Sequence, residues 1–217
     1  MTPTGKTTCT VNPALGREAE YRIKQAAQIK SVLVIGGGPG GMEAARVAAL
    51  RGHKVTLYER GRTLGGRMRW AWRVPGSSRI KDLTLHLARQ VKKAGVTVEY
   101  GRTPTKADIE ALQPEVVVLA TGCSISLVKR FLAFGIILLS FLAIRKAVDR
   151  GIAMRSYTRR RQVLGVHTPL LAAAKPNHEL IPLLHGRVPE IFFAGDCFEP
   201  AGIMEAVADG AMIGRSL

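Results

Sequence analysis

An α/β fold with a parallel central sheet is what this sequence predicts, and three observations predict it. A β-branched run at 31–35 leads through a cluster of glycines into an alanine-rich stretch that stops at Gly52. Further strand-like runs at 54–59, 96–100, 115–120 and 190–194 are separated, for most of the chain, by segments with helical spacing. The glycines between the first strand and the first helix satisfy G-x-G-x-x-G, so the fold is Rossmann-like, of the FAD/NAD(P)-binding kind. With 217 residues there is room for one main nucleotide site and a full core.

Residues 1–30 contain Pro3, Gly5, Pro13 and Gly16 and then a polar run, an extended lead-in with room for one helical turn. The strand at 31–35, the helix at 42–51 and the strand at 54–59 form a βαβ unit with a parallel crossover. Ile80, Leu83, Leu87 and Val91 recur at helical spacing and Gly95 ends that helix, after which 96–100 alternates as a strand. Thr105 and Asp108 make a capping box for a short helix through Leu112, and 115–120 is a strand of the fully buried type. The pattern breaks from Cys123 to about Pro176, then resumes with a strand at 190–194 and a closing helix over 202–217. The expected organisation is a linker at 1–30, one dinucleotide-binding domain assembled from 31–122 and 175–217, and an atypical insert at 123–174.

The glycine turn has a mechanism. Gly36 permits the tight turn, Gly38 lets backbone approach a pyrophosphate, and Gly41 allows close helix packing, with Pro39 and Gly40 completing the motif. Free amides at the helix start then face the phosphates. Glu59 ends the next strand, where a carboxylate accepts hydrogen bonds from an adenosine ribose, and Arg60 follows it. Gly65, Gly66 and Arg67 provide a paired glycine close by, suited to a second phosphate or the flavin side of a cofactor. Thr121 and Gly122 follow the buried strand, Gly195 and Asp196 follow the late one, and Ile203 opens the closing helix. At Asp196 a carboxylate can accept from a ribityl hydroxyl. These residues are the expected cofactor-binding set, and no catalytic side chain is assigned.

Three stretches, 32–66 with its glycine turn and Glu59, 116–122 (VVVLATG) and 191–210 (IFFAGDCFEPAGIMEAVADG), together resemble the C-terminal portion of the old-yellow-enzyme-like NADH:flavin oxidoreductases, the 2,4-dienoyl-CoA reductase and trimethylamine dehydrogenase family. The resemblance covers residues 9–122 and 175–217. It implies FAD as cofactor, with electrons passing between a nicotinamide donor, NAD(P)H, and a flavin/iron-sulfur partner. Cys9 is similar to the last cysteine of the family's iron-sulfur motif. Its three companions would lie upstream, so a free thiol is expected here. The family inserts a second glycine fingerprint, for NAD(P)H, between the positions of Thr121 and Gly195; this sequence has none, which puts direct hydride uptake in doubt. A non-catalytic dinucleotide-binding remnant or scaffold is therefore the alternative.

The formal net charge is +16, and much of it lies at Lys129, Arg130, Arg145, Lys146, Arg150, Arg155 and 159–161, against Asp149 alone. Without interleaved aromatics or a base-reading motif this run does not point to nucleic acid. The apolar run at 131–144 is shorter than the roughly 20 residues that span a bilayer, so a packed helix with weak contact to an anionic membrane surface is expected. Three distant cysteines and a polar start without an apolar core segment predict a cytoplasmic protein without disulfides. Cys123 and Cys197 are expected as small buried thiols, and the five histidines show no metal-ligand spacing.

Overall fold

The computed structural model describes residues 9–73, 77–125 and 174–217. It divides into two compact units, 1–122 with 176–217, and 123–175. The expectations for the apolar run at 131–144 and the basic run at 129–161 fall outside the described residues.

The first unit is built on a five-stranded sheet in the order β3-β2-β1-β4-β7. Its strands are β1 (Ser31–Ile35), β2 (Lys54–Glu59), β3 (Thr97–Tyr100), β4 (Val116–Leu119) and β7 (Glu190–Phe193), and every pairing is parallel. Two short strands, β5 (Cys123–Ile125) and β6 (Ala174–Pro176), pair with one another where the chain leaves this unit and returns to it. The strands at 96–100, 115–120 and 190–194 are each shorter by one or two end residues than the sequence suggests.

Parallel strands in the middle of a sheet bury both faces, which is why β1 and β4 read as unbroken apolar runs. On one face Val32, Val34, Val116 and Val118 pack with Met42, Ala45 and Leu87, under α1 (Pro39–Leu50), α3 (Ser78–Lys93) and α6 (Ile203–Ser216). On the other, Leu33, Ile35, Val117 and Leu119 pack with Ile109 and Leu184, from α4 (Lys106–Leu112) and α5 (Ile181–Leu184). The result is three layers with the carboxyl ends of β1, β2, β4 and β7 along one edge.

Helix α1 starts at Pro39, not at Met42. The sequence expectation counts glycine and proline against helix, but proline at the first helical position loses no hydrogen bond and brings the right φ. Gly38 is therefore the N-cap, and half of the glycine motif is already helical. The Thr105 capping box is present: Thr105 Oγ1 accepts from the Asp108 amide at 3.3 Å and Asp108 Oδ2 accepts from the Thr105 amide at 2.8 Å. The lead-in contains one helical turn, closed by the Tyr21 amide on the Arg17 carbonyl at 2.9 Å. Tyr21 is held between two guanidiniums, Arg17 at 4.4 Å and Arg215 of α6 at 4.5 Å.

Helices α1 and α6 cross at very short range. A Cβ on Gly210 would lie 2.2 Å from the Gly40 carbonyl oxygen, and one on Gly214 would lie 2.7 Å from Val47 Cβ. Ala206, Gly210 and Gly214 thus form the small face on which α1 rests, and the crossing holds the start of α1 against the end of β7.

Candidate functional site

The carboxyl edge of the sheet gathers the glycine turn, the β2 end, and the turns after β4 and β7, the position where open α/β sheets bind ligands. Gly36 has φ of +112°, and a Cβ there would fall 2.3 Å from the Ala120 carbonyl oxygen, so only glycine fits between β1 and β4. A Cβ on Gly41 would strike the Gly36 carbonyl oxygen at 2.0 Å. Gly38 differs: nothing stands within 4 Å of where its side chain would be. The turn is thus closed on the sheet side and open on the outer side.

Among the described residues, the amides of Gly38, Gly40 and Gly41 have no acceptor, and the first turn of α1 has no acidic residue. Three unsatisfied N–H groups at the positive end of a twelve-residue helix favour an anion. An extended pyrophosphate fits this opening on both charge and space.

Glu59 is 7% exposed and is held by its own turn. Oε2 accepts from the Gly37 amide at 2.8 Å and Oε1 from the Gly61 amide at 2.7 Å. Each carboxylate oxygen has a second lone pair, so the group can still receive two hydroxyls while its orientation is set by backbone. Arg60 beside it is exposed. The Gly65 amide donates to the Gly37 carbonyl at 2.7 Å, which presses the paired glycines onto the motif. A Cβ on Gly66 would lie 3.1 Å from Gly38 Cα.

Arg67 Nη1 and Asp196 Oδ2 meet at 3.3 Å, so two expected site residues are joined across the cleft. Asp196 Oδ1 also accepts from the Ala201 amide at 3.1 Å. Thr121 Oγ1 donates to the Asn177 carbonyl at 2.8 Å, and the Asn177 amide donates to the Gly122 carbonyl at 3.0 Å. The Thr121 hydroxyl is thereby committed to backbone. Ile203 begins α6 and packs against the core. The glycine turn, Glu59, Arg67 and Asp196 come together on one edge, while Thr121 and Gly122 follow β4 there and Ile203 opens α6.

Two further residues belong to this edge. Arg102, just after β3, donates its amide to the Glu59 carbonyl at 3.1 Å and lays its guanidinium 5.0 Å from the Tyr58 ring centre. Its place directly after the strand that pairs with β2 was the available signal. Asp209 on α6 faces the Gly195 amide; burial pushes its carboxyl above the usual range, and neighbouring Glu199, Glu205 and Asp196 add to the shift. Seven residues into a helix, it carries no motif that would reveal it.

Cys197 is buried, donates to the Leu119 carbonyl at 3.3 Å, and is raised by burial, whereas Cys123 is half-buried rather than buried. Cys123 opens β5, which pairs with β6. Among the described residues no cluster of His, Cys, Asp and Glu could hold a metal ion. A shallow groove of about 400 Å³ beside Ile109, Glu115 and Arg187 lies at the amino ends of β4 and β7 and shares no residue with the glycine turn.

Residues 30–131 match the family model described as pyridine nucleotide-disulphide oxidoreductase. The matched segment contains β1 to β4 with the glycine turn and Glu59. The chain is 50% identical over 115 residues to an NADH oxidase of Thermoanaerobacter brockii and 47% identical over 121 residues to a cinnamate reductase of Clostridium sporogenes. Those alignments take in 52% and 54% of this chain but only 18% and 17% of the relatives. Among solved structures, a 2-naphthoyl-CoA reductase complex superposes with a TM-score of 0.73 at 22% identity, over 97% of this chain and 43% of that one. A histamine dehydrogenase from Rhizobium sp. 4-9 does so with 0.74 at 17% identity, over 97% and 48%. The chain thus spans less than a fifth of those curated relatives and under half of those structures. Among the described residues no helix is long and apolar enough to cross a membrane.

Proposed function

We propose that the chain is an oxidoreductase module that holds FAD with its pyrophosphate on the amides of Gly38, Gly40 and Gly41, its adenosine ribose on Glu59, and its ribityl chain beside Asp196. The observation that carries this reading is the combination of three acceptor-free amides at the start of α1 with a buried carboxylate fixed at the end of the adjacent strand. Gly65 and Gly66 stack backbone against the motif, and Arg67, paired with Asp196, adds positive charge over the phosphates. Bound FAD supplies the hydride and electron chemistry, while these residues orient it and exclude water. By analogy with the NADH oxidase and the reductases it resembles, the module passes electrons between NAD(P)H and a flavin/iron-sulfur partner in the cytoplasm.

The test is direct. Purified protein is expected to show flavin absorbance, with FAD released intact on denaturation. A colourless protein that stays apo in excess FAD would overturn the reading. Reduction of a dye by NADH or NADPH then reports whether the nicotinamide is used.

A further inference from the structure

The segment that follows Glu59 carries more positive charge than cofactor binding absorbs, since of its cations only Arg60 and Arg67 belong to the expected cofactor set. Over residues 60–81 there are seven cations and no carboxylate. Arg60, Arg62, Arg73, Arg79 and Lys81 are exposed, and among the described residues none of them has a salt-bridge partner. Arg67, which pairs with Asp196, and half-buried Arg69 complete the set. In their midst Trp70 is 68% exposed, on α2 (Met68–Ala71), with the Arg73 guanidinium 4.7 Å from its ring centre.

We infer that this exposed, arginine-rich segment is a docking surface for the acidic face of another protein. Surfaces ordinarily mix the two signs, because a block of like charge repels itself and contributes nothing to the folded state. Here the block is local, exposed and built around a tryptophan. From 60 to 73 every cation is arginine and none is lysine. Arginine forms bidentate hydrogen bonds to carboxylates, and arginine and tryptophan are the residues most enriched where protein interfaces concentrate their energy. The Arg73 guanidinium already occupies one face of the Trp70 ring, and a single aromatic without neighbouring rings is a poor platform for successive stacked bases, which disfavours nucleic acid as the occupant. A flat anionic membrane would engage exposed cations anywhere on the chain, whereas this block lies on the segment pressed against the glycine turn through Gly65 and Gly37. A partner seated there stands beside the site to which the preceding section assigns FAD. That last step rests on the FAD reading; the docking surface itself does not.

The experiment measures binding of the full chain to poly-L-glutamate by fluorescence anisotropy, with a phosphatidylglycerol vesicle and a DNA duplex as competing probes. A triple variant, Arg62→Glu with Arg73→Glu and Arg79→Glu, is compared with a charge-matched control, Lys24→Glu with Lys54→Glu and Lys175→Glu. The arginine variant is expected to lose about tenfold or more in affinity and the control less than about threefold, with the difference shrinking as salt is raised. Trp70→Ala is expected to weaken the binding that survives at higher salt. Equal losses in the two triples would mean diffuse attraction and would overturn the proposal. So would a dependence on these arginines larger for vesicles or DNA than for polyglutamate. FAD content and circular dichroism are read on each variant, so a failure of flavin binding is seen separately from a failure of docking. Should the charge reversal unfold the chain, the glutamine triple at the same positions is expected to give the same ordering.

Discussion

Glu59 is the residue on which the proposed site depends most, and it works in two directions. Its carboxylate is tied to the Gly37 and Gly61 amides, so it both shapes the turn and keeps lone pairs for a ligand. Glu59→Gln retains an acceptor and nearly the same volume but removes the charge and leaves one amide facing an NH2 group. We expect FAD binding to weaken by about 1.5–3 kcal/mol, the range for hydrogen bonds to a charged group, measured as Kd by fluorescence quenching. An unchanged Kd would place the ribose elsewhere. His53 offers a different test, far from the site. Its Nδ1 accepts from the Lys30 amide at 3.1 Å, its Nε2 is buried without a partner, and burial holds its pKa below the usual value. The nearby Arg51 and Lys30 push in the same direction and Glu115 opposes them. Because the unfolded chain binds the proton more readily, the stability due to His53 is fully present above about pH 6.5 and is lost as pH falls through the lower folded value. The urea midpoint is expected to drop over that window in the parent and to drop less in His53→Gln. A parallel response in both would exclude His53 as the cause.

Elements were legible in the sequence wherever one physical signal dominated. The buried strands β1 and β4 announce themselves as apolar runs, α3 as a stripe at helical spacing, and α4 through Thr105 and Asp108. The start of α1 was not legible, because intrinsic propensity penalises Pro39, Gly40 and Gly41, while the tertiary structure uses them for close approach. The α1–α6 crossing was equally hidden: a small-residue face gives a weak periodic signal, and its meaning depends on a partner far away in sequence. Gly210→Ala tests that crossing. With the added Cβ directed at the Gly40 carbonyl and the Ala44 amide, the helices must separate, at a cost of about 1–3 kcal/mol read from the urea midpoint. FAD affinity should fall as well, since Gly40 belongs to the turn. Thr105→Ala, which removes only the α4 cap, is expected to cost about 1 kcal/mol and leave FAD affinity unchanged.

At the scale of the molecule, the parallel sheet follows from the order of strands and turns and was within reach of sequence, and its carboxyl edge is where the cofactor is proposed to lie. The cross-cleft pairing of Arg67 with Asp196, and the commitment of Thr121 to backbone, were not within reach, because neither leaves a local pattern. FAD contacts are proposed on both walls of the cleft, so ligand binding should be linked to global stability. We expect the melting temperature to rise with FAD concentration, by the increment that the measured Kd requires. Hydrogen exchange should slow together at the start of α1 and around Asp196. Protection confined to the glycine turn would mean that the second wall does not take part.

The pairing of Arg67 with Asp196, 129 residues apart, also bears on how the chain matures. The face of α1 that rests on α6 stays uncovered until 203–216 has been synthesised, and the β7 turn arrives only shortly before it. The cradle is therefore a product of long-range closure, which is intrinsically slow because the loop entropy must be lost before the contacts form. During synthesis the apolar sheet edge at β4 waits for β7, and the nascent chain is open to aggregation or to chaperones for that interval. Free flavin in the cell would act at the end of this sequence, as the clasp that holds the two halves closed.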